Sequence, residues 1–200
     1  MSGFRKTLLA AALASMVGVA GAENKFDYCL LCHGAAANGN AGIRAPKLAG
    51  MEPWYLTRQL ENFAAGIRGT PGDDASGHEM GPVGLRVKQE GTLADAVTFV
   101  GGLAPVKPVA TIAGDAKHGK QLYAACVSCH GAKGTGNPQL QAPALAARSD
   151  WYLVTQLKNF QAGLRGADER DTYGAQMRAV ASTLPDEKAI TDVVAYINTL

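Results

Sequence analysis

The sequence predicts an all-α protein of two tandem domains related by duplication. Shifting the 200-residue chain by 97 positions aligns its first half with its second, without a gap, as far as the C-terminus. Apolar residues recur at helical spacing in both halves, and no stretch of useful length alternates as a strand does. A repeat unit of this size can enclose a core of its own, which favours duplicated domains over a solenoid.

The first segment, residues 1–22, has the features of a secretory signal peptide. Arg5 and Lys6 precede an apolar run from Leu8 to Val19, and the small residues at 20–22 form a cleavage site. The apolar run is shorter than the roughly 20 residues that a membrane-spanning helix needs. We therefore expect an exported chain, with an uncleaved membrane anchor as the alternative.

The rest of the chain divides into a first domain at residues 23–103, a linker at 104–114 and a second domain at 115–200. The linker contains Pro105 and Pro108, which disfavour a helix and stiffen the chain. Asp115 then suits the N-cap of a helix that leads towards the second half.

Each domain is expected to contain a long amphipathic helix and a short C-terminal helix. Apolar side chains fall at i, i+4, i+7 and i+11 in both long helices: Leu56, Leu60, Phe63 and Ile67 in the first, and Leu153, Leu157, Phe160 and Leu164 in the second. Gly66 and Gly163 interrupt the ends of these helices. The short helices are predicted from Leu93 to Val100 and from Ile190 to Ile197.

Two copies of the motif Cys-x-x-Cys-His, at residues 29–33 and 126–130, contain all four cysteines of the chain. This string is the attachment signature of c-type haem. One helical turn separates the cysteines, whose thiols bond to the porphyrin vinyl groups, and the next residue places an imidazole beneath the iron. The sequence therefore predicts two covalently bound haem c groups, attached through Cys29 and Cys32 and through Cys126 and Cys129, with His33 and His130 as proximal iron ligands.

Three other uses of four cysteines are alternatives to haem attachment. A four-cysteine zinc site requires all four thiolates to converge on one metal, and it leaves His33 and His130 unexplained. A thioredoxin-like dithiol requires a βαβ setting that the sequence lacks. Plain disulfides are the third alternative.

The second axial ligand of each iron is found by elimination. Met80 and Met177 each lie 47 residues after a motif histidine, and they are equivalent under the repeat. Met51 has no methionine at its equivalent position and is interpreted as packing. His78 is the strongest rival in the first domain, but its equivalent is Ala175. Met80 and Met177 are therefore the predicted distal ligands, and His/Met ligation raises the reduction potential of a haem.

The distribution of charge along the chain argues against nucleic acid as a partner. The formal net charge of +2 includes Arg5 and Lys6 of the leader, so the rest of the chain carries 17 basic and 17 acidic residues. It has no basic run and no interleaving of basic with aromatic residues, which argues against nucleic-acid binding.

The chain after the leader resembles cytochrome c4, a two-domain diheme family of the bacterial periplasm built from class I cytochrome c domains. The resemblance is carried by the two Cys-x-x-Cys-His-Gly strings, the Pro-x-Leu segments at 46–48 and 143–145, the helices that open with Trp-Tyr-Leu at 54–56 and 151–153, and the late methionines. It implies two tandem class I cytochrome c domains joined by a proline-containing linker, with their haems facing across a pseudo-twofold interface.

The resemblance also implies roles for particular residues. Pro46 and Pro143, each 13 residues beyond a proximal histidine, would accept a hydrogen bond from its ring through their carbonyls. Two interpretations stay open for the Trp-Tyr pairs at 54–55 and 151–152, which could bond haem propionates or cap the core. One departure is that only six residues separate the leader from Cys29, so the first N-terminal helix is expected to be short.

The predicted function is electron transfer, one electron per haem, by a periplasmic carrier in a respiratory chain. Redox proteins, an oxidase or a dehydrogenase, are the expected donors and acceptors, and any membrane association would come through them. The main alternative is a diheme subunit bound permanently to a catalytic dehydrogenase. A haem enzyme such as a peroxidase or a thiosulfate dehydrogenase is disfavoured, because it needs an open coordination position and methionine is predicted on both irons.

Overall fold

The computed structural model describes residues 24–70 and 74–200, so the leader predicted at 1–22 lies outside the described residues. The described chain is helical, and its β structure consists of two isolated bridges, Asn40–Ala45 and Asn137–Ala142. These bridges are themselves equivalent under the 97-residue shift. The structure confirms the predicted all-α architecture.

Both halves of the described chain are built from short helices, which do not correspond one to one under the 97-residue shift. The first half contains α1 Asp27–His33, α2 Pro53–Ala64, α3 Ala75–His78, α4 Met80–Gln89 and α5 Leu93–Gly101. The second half contains α6 Ala116–Leu122, α7 Val127–His130, α8 Asp150–Gln161, α9 Thr172–Ala181 and α10 Glu187–Ile197. Single 3-10 turns occur at Ala41–Ile43, Tyr123–Ala125 and Pro138–Leu140.

The helix ends follow from local sequence. Asp115 caps α6, since its carboxylate accepts the backbone N–H groups of the first turn. Ile67 and Leu164 were expected to continue the apolar stripes of the long helices, but they lie beyond the ends of α2 and α8. The reason is that Gly66 and Gly163 adopt positive φ angles of 65° and 72°, which turn the chain away from the helix axis.

The core of the second domain forms where α6 crosses α10. At the crossing, a Cβ atom on Gly119 would lie 1.9 Å from the carbonyl oxygen of Asp192, so only glycine allows this approach. Tyr123, Val193 and Val194 are almost fully buried around it. The two helices therefore pack backbone to backbone.

In the first domain, the start of the described chain contacts the C-terminal helix α5 in a different way. Phe26, just before α1, packs in a buried cluster with Val87 and Ala96 and against Phe99. The equivalents of α6 are residues 19–25, of which the structure describes Asn24 and Lys25. Aromatic packing thus links the start of this described domain to α5.

The linker is tied to both domains. Asn38 of the first domain donates to the carbonyl of Ala104 and accepts the N–H of Val106. Asp150, the first residue of α8, accepts the N–H groups of Thr111 and Ile112. Between these points the chain is exposed and outside any helix. Within residues 24–70 and 74–200, no helix has both the length and the apolar character to cross a bilayer.

Candidate haem-binding sites

Both motif histidines are the last residue of a short helix at the motif. His33 is the last residue of α1 and His130 the last of α7, and both are buried. Each Nδ1 lies 2.7 Å from a proline carbonyl oxygen, that of Pro46 for His33 and that of Pro143 for His130. Burial lowers the pKa of both imidazoles, and the proline carbonyls oppose this only in part. A neutral ring that donates from Nδ1 presents the lone pair of Nε2 to a metal ion.

The four cysteines form two pairs that stay apart. None is joined in a disulfide. The described residues bring together no group of three or more His, Cys, Asp or Glu side chains that could hold a metal ion. A tetrahedral zinc site needs four converging ligands, so the arrangement does not suit zinc. Cys126 and Cys129 instead line a cavity beside His130.

In the second domain the two predicted iron ligands face one another. Met177 lies in the middle of α9, and its Sδ is 3.5 Å from Nε2 of His130. A borderline-soft thioether opposite an imidazole is a donor pair that iron in haem accepts. The structure therefore brings together His130, Pro143 and Met177.

The first domain brings His33 to Pro46 but shows no comparable approach of Met80 among the described residues. Met80 begins α4, directly after a break in the helical run at Glu79, whereas α9 is continuous through Met177. The rival ligand His78 is exposed, and its Nδ1 lies 3.3 Å from the carbonyl oxygen of Gly69. That bond turns the ring towards the loop after α2, which favours Met80 over His78.

The cavity beside His130 is lined by both domains and fits a haem. Its walls include Leu153 and Phe160 from the second domain, and Tyr55 and Gln59 from the first. Arg165 also lines it, and the buried Nε of this guanidinium has no hydrogen-bond partner among the described residues. A buried cationic donor without a partner is costly in an apolar setting and fits an anionic group such as a haem propionate.

A pseudo-twofold hydrogen-bond network joins the two domains. It consists of Arg68, Tyr55 and Gln59 from the first domain and of Arg165, Tyr152 and Gln156 from the second. Arg68 donates to Tyr152 and Gln156, both at 3.0 Å, and Arg165 donates to Tyr55 at 2.9 Å and to Gln59 at 3.0 Å. Each arginine also bonds the glutamine of its own domain. The 97-residue shift maps every one of these bonds onto another.

This network gives Tyr55 and Tyr152 hydrogen-bond partners that neither interpretation of the Trp-Tyr pairs had contained. Tyr55 and Tyr152 accept hydrogen bonds from arginines across the interface rather than only capping a core. Burial alone would raise the pKa of Tyr55, but the guanidinium groups of Arg165 and Arg68 outweigh burial and lower its pKa. The tryptophan interpretation stays open, because the buried Nε1 of Trp54 has no partner in the described structure.

A second set of contacts is asymmetric. The segment 141–148 of the second domain, which carries Pro143, is held by side-chain contacts that cross the interface. Lys47 donates to the carbonyl of Ala147, Arg58 donates to Gln141, Glu52 accepts from the N–H of Ala144, and Arg148 donates to the carbonyl of Gly50. These contacts have no equivalents under the repeat, because the equivalents of Glu52 and Arg58 are Ser149 and Thr155.

The sequence alone suggested no role for the arginines and glutamines of the interface or for Glu52. The repeat itself contained a signal for the arginines, since a charged residue kept at equivalent positions after a helix end is unusual for a solvent-exposed surface. Both arginines are in fact buried. Glu52 gave no such signal, because its equivalent under the repeat is Ser149.

Comparison with known proteins agrees with this geometry. Residues 116–200 match the family Cytochrome c. The chain is 31% identical to cytochrome c4 of Azotobacter vinelandii over 206 residues, which cover 97% of this chain and 95% of the relative. It is 32% identical over 173 residues to a protein named thiosulfate dehydrogenase electron acceptor from Stutzerimonas stutzeri, covering 80% of this chain and 76% of the relative.

A solved structure shows the same fold over nearly its whole length. The crystal structure of reduced recombinant cytochrome c4 from Pseudomonas stutzeri has a TM-score of 0.66 and 28% sequence identity, and the match covers 88% of this chain and 95% of that one. The similarity therefore extends over both halves of the chain. The chain belongs to the cytochrome c4 family and is an electron-transfer cytochrome with two covalently bound c-type haems.

Proposed function

We propose that this chain is a periplasmic electron carrier of a respiratory chain and has no catalytic activity of its own. The domains are those expected from the sequence: a signal peptide at residues 1–22, cytochrome c domains at 23–103 and 115–200, and a linker at 104–114. Redox enzymes, a dehydrogenase as donor and an oxidase as acceptor, are the proposed partners.

Each haem is proposed to be held by the same kinds of residue in both domains. Cys29 and Cys32 would attach the first haem, and Cys126 and Cys129 the second. His33 and Met80 would bind the first iron, and His130 and Met177 would bind the second. Pro46 and Pro143 orient the histidine rings through the 2.7 Å contacts at Nδ1. The haem supplies reversible one-electron chemistry when it is bound.

One observation carries the proposal. Nε2 of His130 and Sδ of Met177 lie 3.5 Å apart, so the protein brings together two donors that would hold the same iron. A site filled from both sides offers no position for a substrate, and it favours electron transfer over substrate chemistry. The buried, apolar surroundings of His130 also keep water away from it.

A second candidate is supported by one of the relatives. The protein from Stutzerimonas stutzeri that is named a thiosulfate dehydrogenase electron acceptor is 32% identical to this chain. By analogy, this chain could act as the electron-accepting subunit of a dehydrogenase, held in a stable complex with it. The two candidates differ in whether the partner stays bound, not in the chemistry of the haem sites.

Purification of the tagged chain from its native host separates the candidates. We expect an osmotic-shock fraction to contain the protein with two haems per chain by intact mass, and without a stoichiometric partner after a high-salt wash. A dehydrogenase that co-purifies in a one-to-one ratio through that wash would instead favour the subunit. Retention of the chain in the cytoplasmic fraction would contradict the proposed periplasmic location.

A further inference from the structure

The backbone segment that orients His130 is held from the other domain. Pro143, whose carbonyl oxygen lies 2.7 Å from Nδ1 of His130, belongs to the second domain. The next residue, Ala144, shares the peptide group of that carbonyl. Its N–H donates to a carboxylate oxygen of Glu52, in the first domain, at 2.6 Å.

Glu52 is itself well fixed at the interface. Its second carboxylate oxygen lies 3.4 Å from the guanidinium group of the buried Arg148, which also donates to the carbonyl of Gly50 at 2.8 Å. The side chain of Glu52 is only 23% exposed. The carboxylate therefore sits in a partly desolvated position, where charge acts more strongly than it does at the surface.

These contacts form a continuous chain from a carboxylate to an imidazole. The Glu52 carboxylate accepts the N–H of the Pro143–Ala144 peptide, and the carbonyl of the same peptide accepts Nδ1–H of His130. Hydrogen bonds in such a chain polarise one another. A carboxylate at the N–H end increases the negative charge on the carbonyl oxygen, which then accepts more strongly from the ring.

The first domain has no such chain in the described structure. The peptide that follows Pro46 is that of Lys47, and the residue equivalent to Glu52 is Ser149, which has no carboxylate. His33 therefore has the proline carbonyl without the charged group behind it. The two otherwise repeated sites differ at this point.

We propose that Glu52 of the first domain is a positioning residue that lowers the reduction potential of the haem bound by His130 in the second. The proposal rests on the proposed ligation of that haem by His130 and Met177. A stronger hydrogen bond at Nδ1 makes the ring a better donor at Nε2. A better donor favours the ferric over the ferrous state. Docking of the first domain thus sets part of the potential of the second haem.

The test is Glu52→Gln in the full-length diheme protein, because glutamine keeps an oxygen that can accept from Ala144 and removes only the charge. Glu61→Gln is the matched control, since it removes the same charge from an exposed position of α2, the helix that begins directly after Glu52. A spectroelectrochemical titration measures both potentials, and the hyperfine-shifted NMR signals of the His130 ring identify the step of the second haem.

We expect Glu52→Gln to raise the potential of the second haem and to move the electron-sharing equilibrium between the haems towards it by at least about threefold, or ~28 mV at 59 mV per tenfold change for one electron. The signals of the His130 ring should shift as well. An unmoved second haem, or an equal shift of both haems like that of Glu61→Gln, would overturn the proposal. Absence of the sulfur-to-iron absorbance band from the wild-type protein would instead contradict the proposed function. That measurement does not involve Glu52, so the two failures can be told apart.

Discussion

A buried histidine can bind a metal ion through only one of its two ring nitrogens. The hydrogen bond made by the other nitrogen decides which one is available. In His33 and His130 the bond from Nδ1 to a proline carbonyl fixes the ring and leaves Nε2 free. Burial lowers the pKa of both rings, which keeps that nitrogen unprotonated near neutral pH. The residue opposite then determines whether the metal position is closed, and for His130 that residue is Met177.

Substitution of Met177 by alanine should open one of the two metal positions. In the oxidised protein, half of the weak near-infrared absorbance from sulfur-to-iron charge transfer should disappear. The reduced variant should bind carbon monoxide at one haem, whereas the reduced wild type should bind it poorly. Absorbance spectra with and without carbon monoxide measure both effects.

Met51→Leu is the control for this substitution, because Met51 is buried in a core cluster with Tyr55 and Leu56. It should keep the full near-infrared band. Retention of the full band in Met177→Ala would mean that another residue binds the second iron. Ready binding of carbon monoxide by the wild type would revive the possibility of a haem enzyme.

The crossing of α6 and α10 holds the second domain together through a close approach and a buried charge. Gly119 allows the two backbones to meet. Beside it, Asp192 is buried and accepts from His118 and Lys188 at 2.7 and 2.6 Å. Bonds from His118, Lys188 and the N–H of Asp115 hold the pKa of this carboxyl well below its usual range. The helix pair is therefore specified by backbone fit and by a fully bonded carboxylate.

Gly119→Ala should force these helices apart and lower the free energy of unfolding by about 1–3 kcal/mol, as overpacking does. The comparison is Gly101→Ala at the end of α5, where a new Cβ atom meets nothing within 4 Å. Because alanine restricts the unfolded chain, that change should be neutral or stabilising by up to ~1 kcal/mol. Urea unfolding monitored by circular dichroism gives both values, and equal values would show that the close approach is not decisive.

The two domains behave as the halves of a symmetric pair joined by a few asymmetric contacts. The arginine–tyrosine–glutamine network is reciprocal, and each bond from Arg68 has a counterpart from Arg165. Both guanidinium groups are buried, and the tyrosine and glutamine side chains that accept their hydrogen bonds are neutral. These acceptors therefore do not balance the positive charge of the arginines. The asymmetric set, led by Glu52 and Arg148, distinguishes the surroundings of the two histidines.

Tyr55→Phe and Tyr152→Phe should weaken this interface by similar amounts. Each removes one acceptor from a buried guanidinium group, and a hydrogen bond to a charged group contributes about 1.5–3 kcal/mol. Tyr28→Phe is the control, since the buried hydroxyl of Tyr28 has no partner in the described structure, and its loss should cost little. Thermal or urea unfolding of the three variants measures the effect. A large difference between the first two would contradict the reciprocal arrangement.

The helices could be predicted from the sequence, whereas the contacts between the domains could not. Helical spacing and caps are local, so α5, α10 and the cap at Asp115 were predicted close to their final positions. The pairing of Arg165 with Tyr55 and that of Glu52 with Ala144 depend on how the two domains dock. The sequence around any one of these residues does not indicate which residue of the other domain it contacts.

The two anchor points of the linker limit which domains can pair. The chain is fixed at Val106 by Asn38 and at Thr111 by Asp150, and the five residue steps between them span at most about 18 Å when fully extended. A first domain could therefore not reach the second domain of a neighbouring molecule without releasing an anchor. Exchange of domains between chains is disfavoured for this reason, and the two domains that pair belong to one polypeptide.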